Sequence, residues 1–229
     1  MIRAVIFDVG GPLDLETAFE AAIDAYLRDG LSREGFPVTD AEWDAAHQWT
    51  VDVYAPSVYR AILWRLTRGN PEASRRIYDW MEDRAHHRDL FELRPGIPSI
   101  LEALKQRGLI LGLCANQPVV AIERLARAGI GHYFQNDGIS GVHGYRKPDI
   151  RLFLRVCEDL RVDPTECIRV GDRIDNDVVP AKLLGMRTVL IRTGRHIAQQ
   201  PRSWDEAPDF EVKDAPGILV AIERLLEIP

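Results

Sequence analysis

Short apolar runs alternate with amphipathic stretches along most of the chain. Ala4 to Phe7 is uninterrupted apolar sequence ending at Asp8 and then Gly10-Gly11, the pattern of a buried parallel strand emptying into a loop. Leu109 to Cys114, Cys167 to Val170 and Thr188 to Ile191 repeat it, and Phe210 to Val212 is a weaker fifth candidate. Between them, Ile100 to Arg107 stops at Gly108, Val119 to Ala128 at Gly129, and Asn176 to Leu184 at Gly185. Each stop suits the left-handed conformation that closes a helix. Ile150 to Leu160 follows the Lys147-Pro148 turn, and Ala215 to Leu226 is the last helical stretch. Strands alternating with helices predict an α/β fold, a three-layer Rossmann-like core with helices on both faces of a parallel sheet.

From about Leu15 to His87 the alternation stops and only helix signals remain. Thr39 with Glu42 forms a capping-box start, and Asn70-Pro71 places a cap residue before a proline at the first helical position. Leu15, Phe19, Ala22, Ile23, Tyr26 and Leu27 recur at helical spacing. Trp43, Trp49, Trp64 and Trp80 fall here with Tyr54, Tyr59 and Tyr78, and are expected to form the core of a small helical bundle. Some of them facing a substrate pocket is the functional alternative. The expected division is therefore residues 1–14 and 88–229 as the α/β core and 15–87 as an inserted all-helical domain. Gln199 to Pro208 is expected to be a surface loop before the last strand.

Composition adds bounds. The 229 residues, 46% hydrophobic and 28% charged, suit one large domain or one domain with a sizeable insert. The longest apolar stretch, Leu109 to Ala115, is far too short to span a bilayer, and Asp8 cuts the N-terminal run before a signal-peptide core forms. A soluble cytoplasmic protein without a membrane partner is expected. The formal charge of -6 argues against nucleic acid, which favours clustered Lys and Arg. Cys114, Cys157 and Cys167 are scattered in apolar stretches and suit buried thiols, not a disulfide frame or zinc site.

Open parallel sheets bind ligands beyond the carboxyl ends of their strands. That edge gathers Asp8 after the first strand, Asn116 after the second, and Asp172, Asp175 and Asp177 after the third, with Lys147-Pro148 in the intervening loop. Converging carboxylates need a counter-charge, and Mg²⁺, an oxygen-liking cation, supplies one.

These segments together resemble the haloacid dehalogenase-like superfamily, most of whose members are phosphatases. VIFDVGGPL resembles the first motif, with Asp8 as nucleophile, and LRPGIPSILEALKQRGLILGLCAN the approach to the second. GYRKPDIRLF resembles the third, with Lys147 as the motif lysine, and VGDRIDNDVVPAKLLGMRTVLIRTG the fourth, with Asp172 and Asp177 as its acidic pair. The helical stretch corresponds to the family's cap, inserted after the first strand. The resemblance implies a hydrolase acting on a small phosphorylated metabolite. Asp8 would form an aspartyl-phosphate. Mg²⁺ would be held by Asp8, the Gly10 carbonyl, Asp172 and Asp177, with Asp175 or Asp177 nearer to it. Lys147 would neutralise charge on Asp8 and the phosphoryl group as a catalytic residue, and Asn116 would hold the substrate or order the loop. A monomer or homodimer is expected.

Two positions depart from the family pattern. Gly10 stands where its phosphatases carry the acid/base Asp that protonates the leaving oxygen and then activates water, a role worth about 10²–10⁴ in rate. Ala115 replaces the Ser or Thr of the second motif, whose hydrogen bond to a charged group is worth about 1.5–3 kcal/mol. Activity restricted to good leaving groups follows, unless Asp14, Glu16, His86 or His87 supplies the proton. A catalytically inactive binding or regulatory protein is one alternative. A haloacid dehalogenase is another, although those enzymes place Tyr at the Gly10 position. A dinucleotide site at Gly10-Gly11 is excluded because no third glycine follows at the required spacing.

Overall fold

The five apolar runs become five parallel strands in the computed structural model, which describes residues 1–85 and 89–228. They are β1 (Ala4–Phe7), β2 (Ile110–Leu113), β3 (Cys167–Gly171), β4 (Arg187–Ile191) and β5 (Phe210–Val212). They pair in the order β2-β1-β3-β4-β5. Strands β1, β3 and β4 are almost wholly buried because helices cover a parallel sheet, which is why they carry apolar runs instead of alternation. The order turns back on itself between β1 and β3. The crevice beyond their carboxyl ends is therefore the switch point of the sheet.

The helices of the sheet unit are α5 (Ile97–Gln106), α6 (Val120–Arg127), the single turn α7 (Ser140–His143), α8 (Ile150–Leu160), α9 (Val179–Leu183) and α10 (Ala215–Glu227). Helix α5 starts three residues before the expected Ile100, because Pro98 sits comfortably in a first turn. The expected helix over 176–184 is broken into two pieces. A π-helical turn at Ile174–Val178 precedes α9, and the Val178 N–H reaches back to the Arg173 carbonyl at 3.3 Å. Pro180 brings no N–H to that junction, so the chain closes it with wider bonds. Gly108, Gly129 and Gly185 adopt positive φ at the helix ends, as expected. All three cysteines are free and buried. No helix among the described residues is long and apolar enough to cross a membrane.

The chain divides into two compact units, Met1–Leu15 with Glu92–Pro229, and Glu16–Phe91. The crossings between them are stapled on the sheet side. The Leu15 N–H donates to the Glu92 carbonyl at 2.8 Å, and the Glu92 N–H donates to Asp14 Oδ1 at 2.9 Å.

The second unit holds α1 (Thr17–Arg33), α2 (Asp40–Asp52), α3 (Val58–Leu66) and α4 (Pro71–Ala85). The Thr39–Glu42 capping box opens α2, and Asn70 Oδ1 accepts the Ala73 N–H at 3.0 Å to cap α4. The aromatic-core expectation needs correction. Of the four tryptophans only Trp43 is buried, and Trp64 is 54% exposed. The interior is mainly aliphatic, built on Ile23, Leu27, Leu31, Ile62, Leu63, Ile77 and Met81. Indoles with a polar N–H suit a rim where arginines can lie over them. Arg65 stacks on Trp49 at 4.8 Å, and Arg84 on Trp80 at 4.0 Å.

Candidate active site

Asp8 directly follows β1, whose backbone is held on both sides by β2 and β3. Its Oδ1 accepts the Val9 N–H at 2.8 Å, and its Oδ2 accepts from Lys147 Nζ. Residues 9–14 then form a tight turn, with the Leu13 and Asp14 N–H groups both donating to the Val9 carbonyl. Gly11 occupies a left-handed conformation at φ +80°, and a Cβ there would lie 2.6 Å from Asp172 Cβ. The loop after Asp8 and the end of β3 are thus in van der Waals contact through a missing side chain. Arg94 braces the same loop, donating Nε to the Gly11 carbonyl at 2.7 Å and Nη2 to Thr193 Oγ1 at 2.9 Å.

Asp172 follows β3, and the π-helical turn brings Asp177 back beneath it. Gly171 makes room, since a Cβ there would sit 2.3 Å from Asp177 Cγ. Asp177 Oδ2 accepts the Arg173 N–H at 3.0 Å, and Oδ1 accepts from Lys147 Nζ and Arg169 Nη2, both at 2.6 Å. Asn116 clamps the lysine backbone. Its Nδ2 donates to the Lys147 carbonyl at 3.0 Å, and its Oδ1 accepts the Lys147 N–H at 2.8 Å. Both polar atoms of the Asn116 side chain are thus engaged by the Lys147 backbone.

Asp8, Asp172 and Asp177 are all buried, and each offers an oxygen within 4.8 Å of the others. Asp175 stands outside this group, with Arg173 Nη2 2.5 Å from its Oδ2 and Gln199 Nε2 3.0 Å from its Oδ1. Burial raises the Asp8 carboxyl above its ordinary range against the pull of Lys147. Burial acts the same way on Asp177, but Lys147 and Arg169 outweigh it and hold that carboxyl well below the usual range. Lys147 itself is desolvated, yet its two carboxylate partners keep it protonated.

The sequence matches the haloacid dehalogenase-like hydrolase family across residues 2–185. The chain belongs to that family. A glyceraldehyde 3-phosphate phosphatase from Methanopyrus kandleri is 32% identical over 235 residues, covering 99% of both chains. A phosphoserine phosphatase from Thermus thermophilus is 30% identical over 96% of this chain and 91% of its own. Among solved structures, a predicted phosphoglycolate phosphatase from Haemophilus somnus shares the fold at a TM-score of 0.73 and 19% identity, covering 99% and 98% of the two chains. The protein is accordingly a haloacid dehalogenase-like hydrolase with a Rossmann-like sheet.

Of the substitutes considered for the missing acid, Asp14 is committed to the Glu92 N–H. Glu16 lies in the helical unit, where it precedes α1 at φ 57°. His86 and His87 lie outside the described residues. Position 115 is Ala, fully buried, with its backbone N–H on the Gly138 carbonyl. Four residues escaped the sequence reading: Arg94, Arg169, Arg173 and Gln199. Residues 200–208 form the expected surface loop before β5, but Gln199 at its start is 1% exposed and its Oε1 takes the Ile174 N–H at 2.7 Å. Arg169 left the clearest signal, a guanidinium inside a run that otherwise reads as a buried strand. Such a charge must find partners.

Proposed function

We propose that this hydrolase is a Mg²⁺-dependent phosphatase that cleaves a small phosphorylated metabolite through a phosphoryl group carried on Asp8. The observation that carries this reading is the state of Asp8. It is a buried carboxylate pinned in one orientation by the Val9 N–H, neutralised by Lys147, and grouped with Asp172 and Asp177. Positioning and charge compensation are what phosphoryl transfer asks of a protein.

The donor set suits the metal. Asp8 and Asp172 bring hard carboxylate oxygens, and the family resemblance adds the Gly10 backbone carbonyl, the ligand types that Mg²⁺ prefers. Asp177 has both oxygens engaged by Lys147, Arg169 and the Arg173 N–H, so we place it behind the direct ligands. When bound, Mg²⁺ would supply Lewis-acid stabilisation of phosphoryl charge. An Asp8 oxygen attacks phosphorus as the bond to the leaving oxygen breaks, and Lys147 stays beside it to offset charge. Water then attacks the phosphorylated Asp8, the bond to Asp8 breaks, and inorganic phosphate departs. Asn116 keeps Lys147 in register throughout.

Gly10 has no proton to give the leaving oxygen. Acyl and aryl phosphates, whose leaving groups depart unprotonated, are the favoured class. The relatives' names make glyceraldehyde 3-phosphate and phosphoserine the alkyl esters to compare. We expect kcat/KM for acetyl phosphate to exceed that for either ester by about 10² or more. Chelation of Mg²⁺ and the Asp8→Asn substitution should each abolish turnover. Equal rates on acetyl phosphate and the esters would sink the leaving-group assignment, and turnover surviving in Asp8→Asn would overturn the nucleophile.

A further inference from the structure

Arg169 lies in the middle of β3, a strand paired on both sides, and is 1% exposed. Its Nη2 donates to Asp177 Oδ1 at 2.6 Å and to the Cys114 carbonyl at 2.7 Å, and its Nη1 to the Ile6 carbonyl at 3.4 Å. The same Nη2 stands 3.8 Å from Asp8 Oδ2, and the guanidinium carbon 5.5 Å from the centre of the Phe153 ring. Its Nε is buried with no hydrogen-bond partner. Apolar residues in place of a whole buried ion pair often serve stability as well, and this pair also leaves the Arg169 Nε–H without a partner. Stability alone does not account for the arginine.

We infer that Arg169 is a positioning residue that competes with the metal cation for the carboxylate cluster and so keeps Lys147 on the nucleophile. The inference rests on the Mg²⁺ reading above. Asp177 Oδ1 is shared between Arg169 and Lys147, and Lys147 is shared between Asp177 and Asp8. Without Arg169, Asp177 draws Lys147 to itself and away from Asp8, which slows attack on phosphorus. The cluster also gains an uncompensated negative charge, which strengthens its hold on a divalent cation. Opposite changes in turnover and in metal affinity are the signature of this role. Damage to a merely structural residue weakens both.

Mg²⁺ titration calorimetry on the full-length protein, beside steady-state kinetics on acetyl phosphate, tests it. In Arg169→Met, Mg²⁺ should bind about tenfold tighter. In the same variant kcat should fall about tenfold, with KM changed by less than about threefold. Arg169→Lys, which restores the charge, should return Mg²⁺ affinity towards the wild-type value. If the methionine variant fails to fold, Arg169→Gln removes the charge while keeping a donor for the Cys114 carbonyl, and the same readings apply. Unchanged or weaker Mg²⁺ binding in a folded, charge-free variant overturns the role of Arg169. Absence of Mg²⁺ binding in the wild-type protein instead defeats the metal reading beneath it.

Discussion

Gly11 meets two demands that no other residue satisfies together. Its φ of +80° is one that side-chain-bearing residues rarely adopt, and the space where a Cβ would go is filled by Asp172. Gly11→Ala should therefore cost about 2–4 kcal/mol, combining backbone strain with overpacking. It should also displace Asp172 from Asp8. A thermal melt together with acetyl phosphate turnover checks this, and a variant with wild-type melting and rate would show that the loop yields freely. The glycine was legible as part of a motif, but its reason was not. The 2.6 Å approach to Asp172 Cβ joins residues 161 positions apart, a separation that no local pattern encodes. Arg169 showed in the sequence as a charge in an apolar run, but its four partners come from β1, the end of β2, the π-helical turn and Asp8, which no local pattern could name.

Secondary structure shows how local and distant physics divide. The β1, β3 and β4 boundaries agree with the apolar runs to within a residue, because burial on both faces imposes a mostly apolar stretch that only Arg169 and Thr188 interrupt. Helix caps were equally readable, since a capping box is closed by residues three apart. The Thr39 hydroxyl accepts the Glu42 N–H at 3.2 Å, and the Thr39 N–H donates to Glu42 Oε2 at 2.9 Å. Thr39→Ala should destabilise the protein by about 1 kcal/mol without altering kcat, measured by denaturant unfolding and turnover. A change in kcat would show that α2 communicates with the reacting groups. The tryptophans failed as a guide because helical spacing identifies a face, not what the face meets. Trp64 and Trp43 carry the same side chain, yet one is 54% exposed and the other 4%.

At the scale of the molecule, the strand order places Asp8 and Asp172 at the one gap where neighbouring loops diverge to opposite faces of the sheet. The helical unit leaves and rejoins the core through a pair of hydrogen-bonded residues, Leu15 and Glu92. Closing that gap needs only a short linker, and short loops cost little entropy. Replacing Glu16–Phe91 by a short Gly-Ser linker should leave a sheet unit that unfolds cooperatively, with an enthalpy reduced roughly in proportion to length. Calorimetry decides this, and a non-cooperative melt would show that the sheet unit depends on the insert. The sequence by itself determined the α/β alternation, the helical insert and the motif residues, because each is written in neighbours along the chain or in its period. Only the tertiary structure decided that Asp177 joins Asp8 and Asp172 while Asp175 pairs with Arg173, that Asn116 serves Lys147, and that Arg169 stands behind them all. Those choices depend on which side chains meet across strands, and a buried charge finds its partner through space, not along the chain.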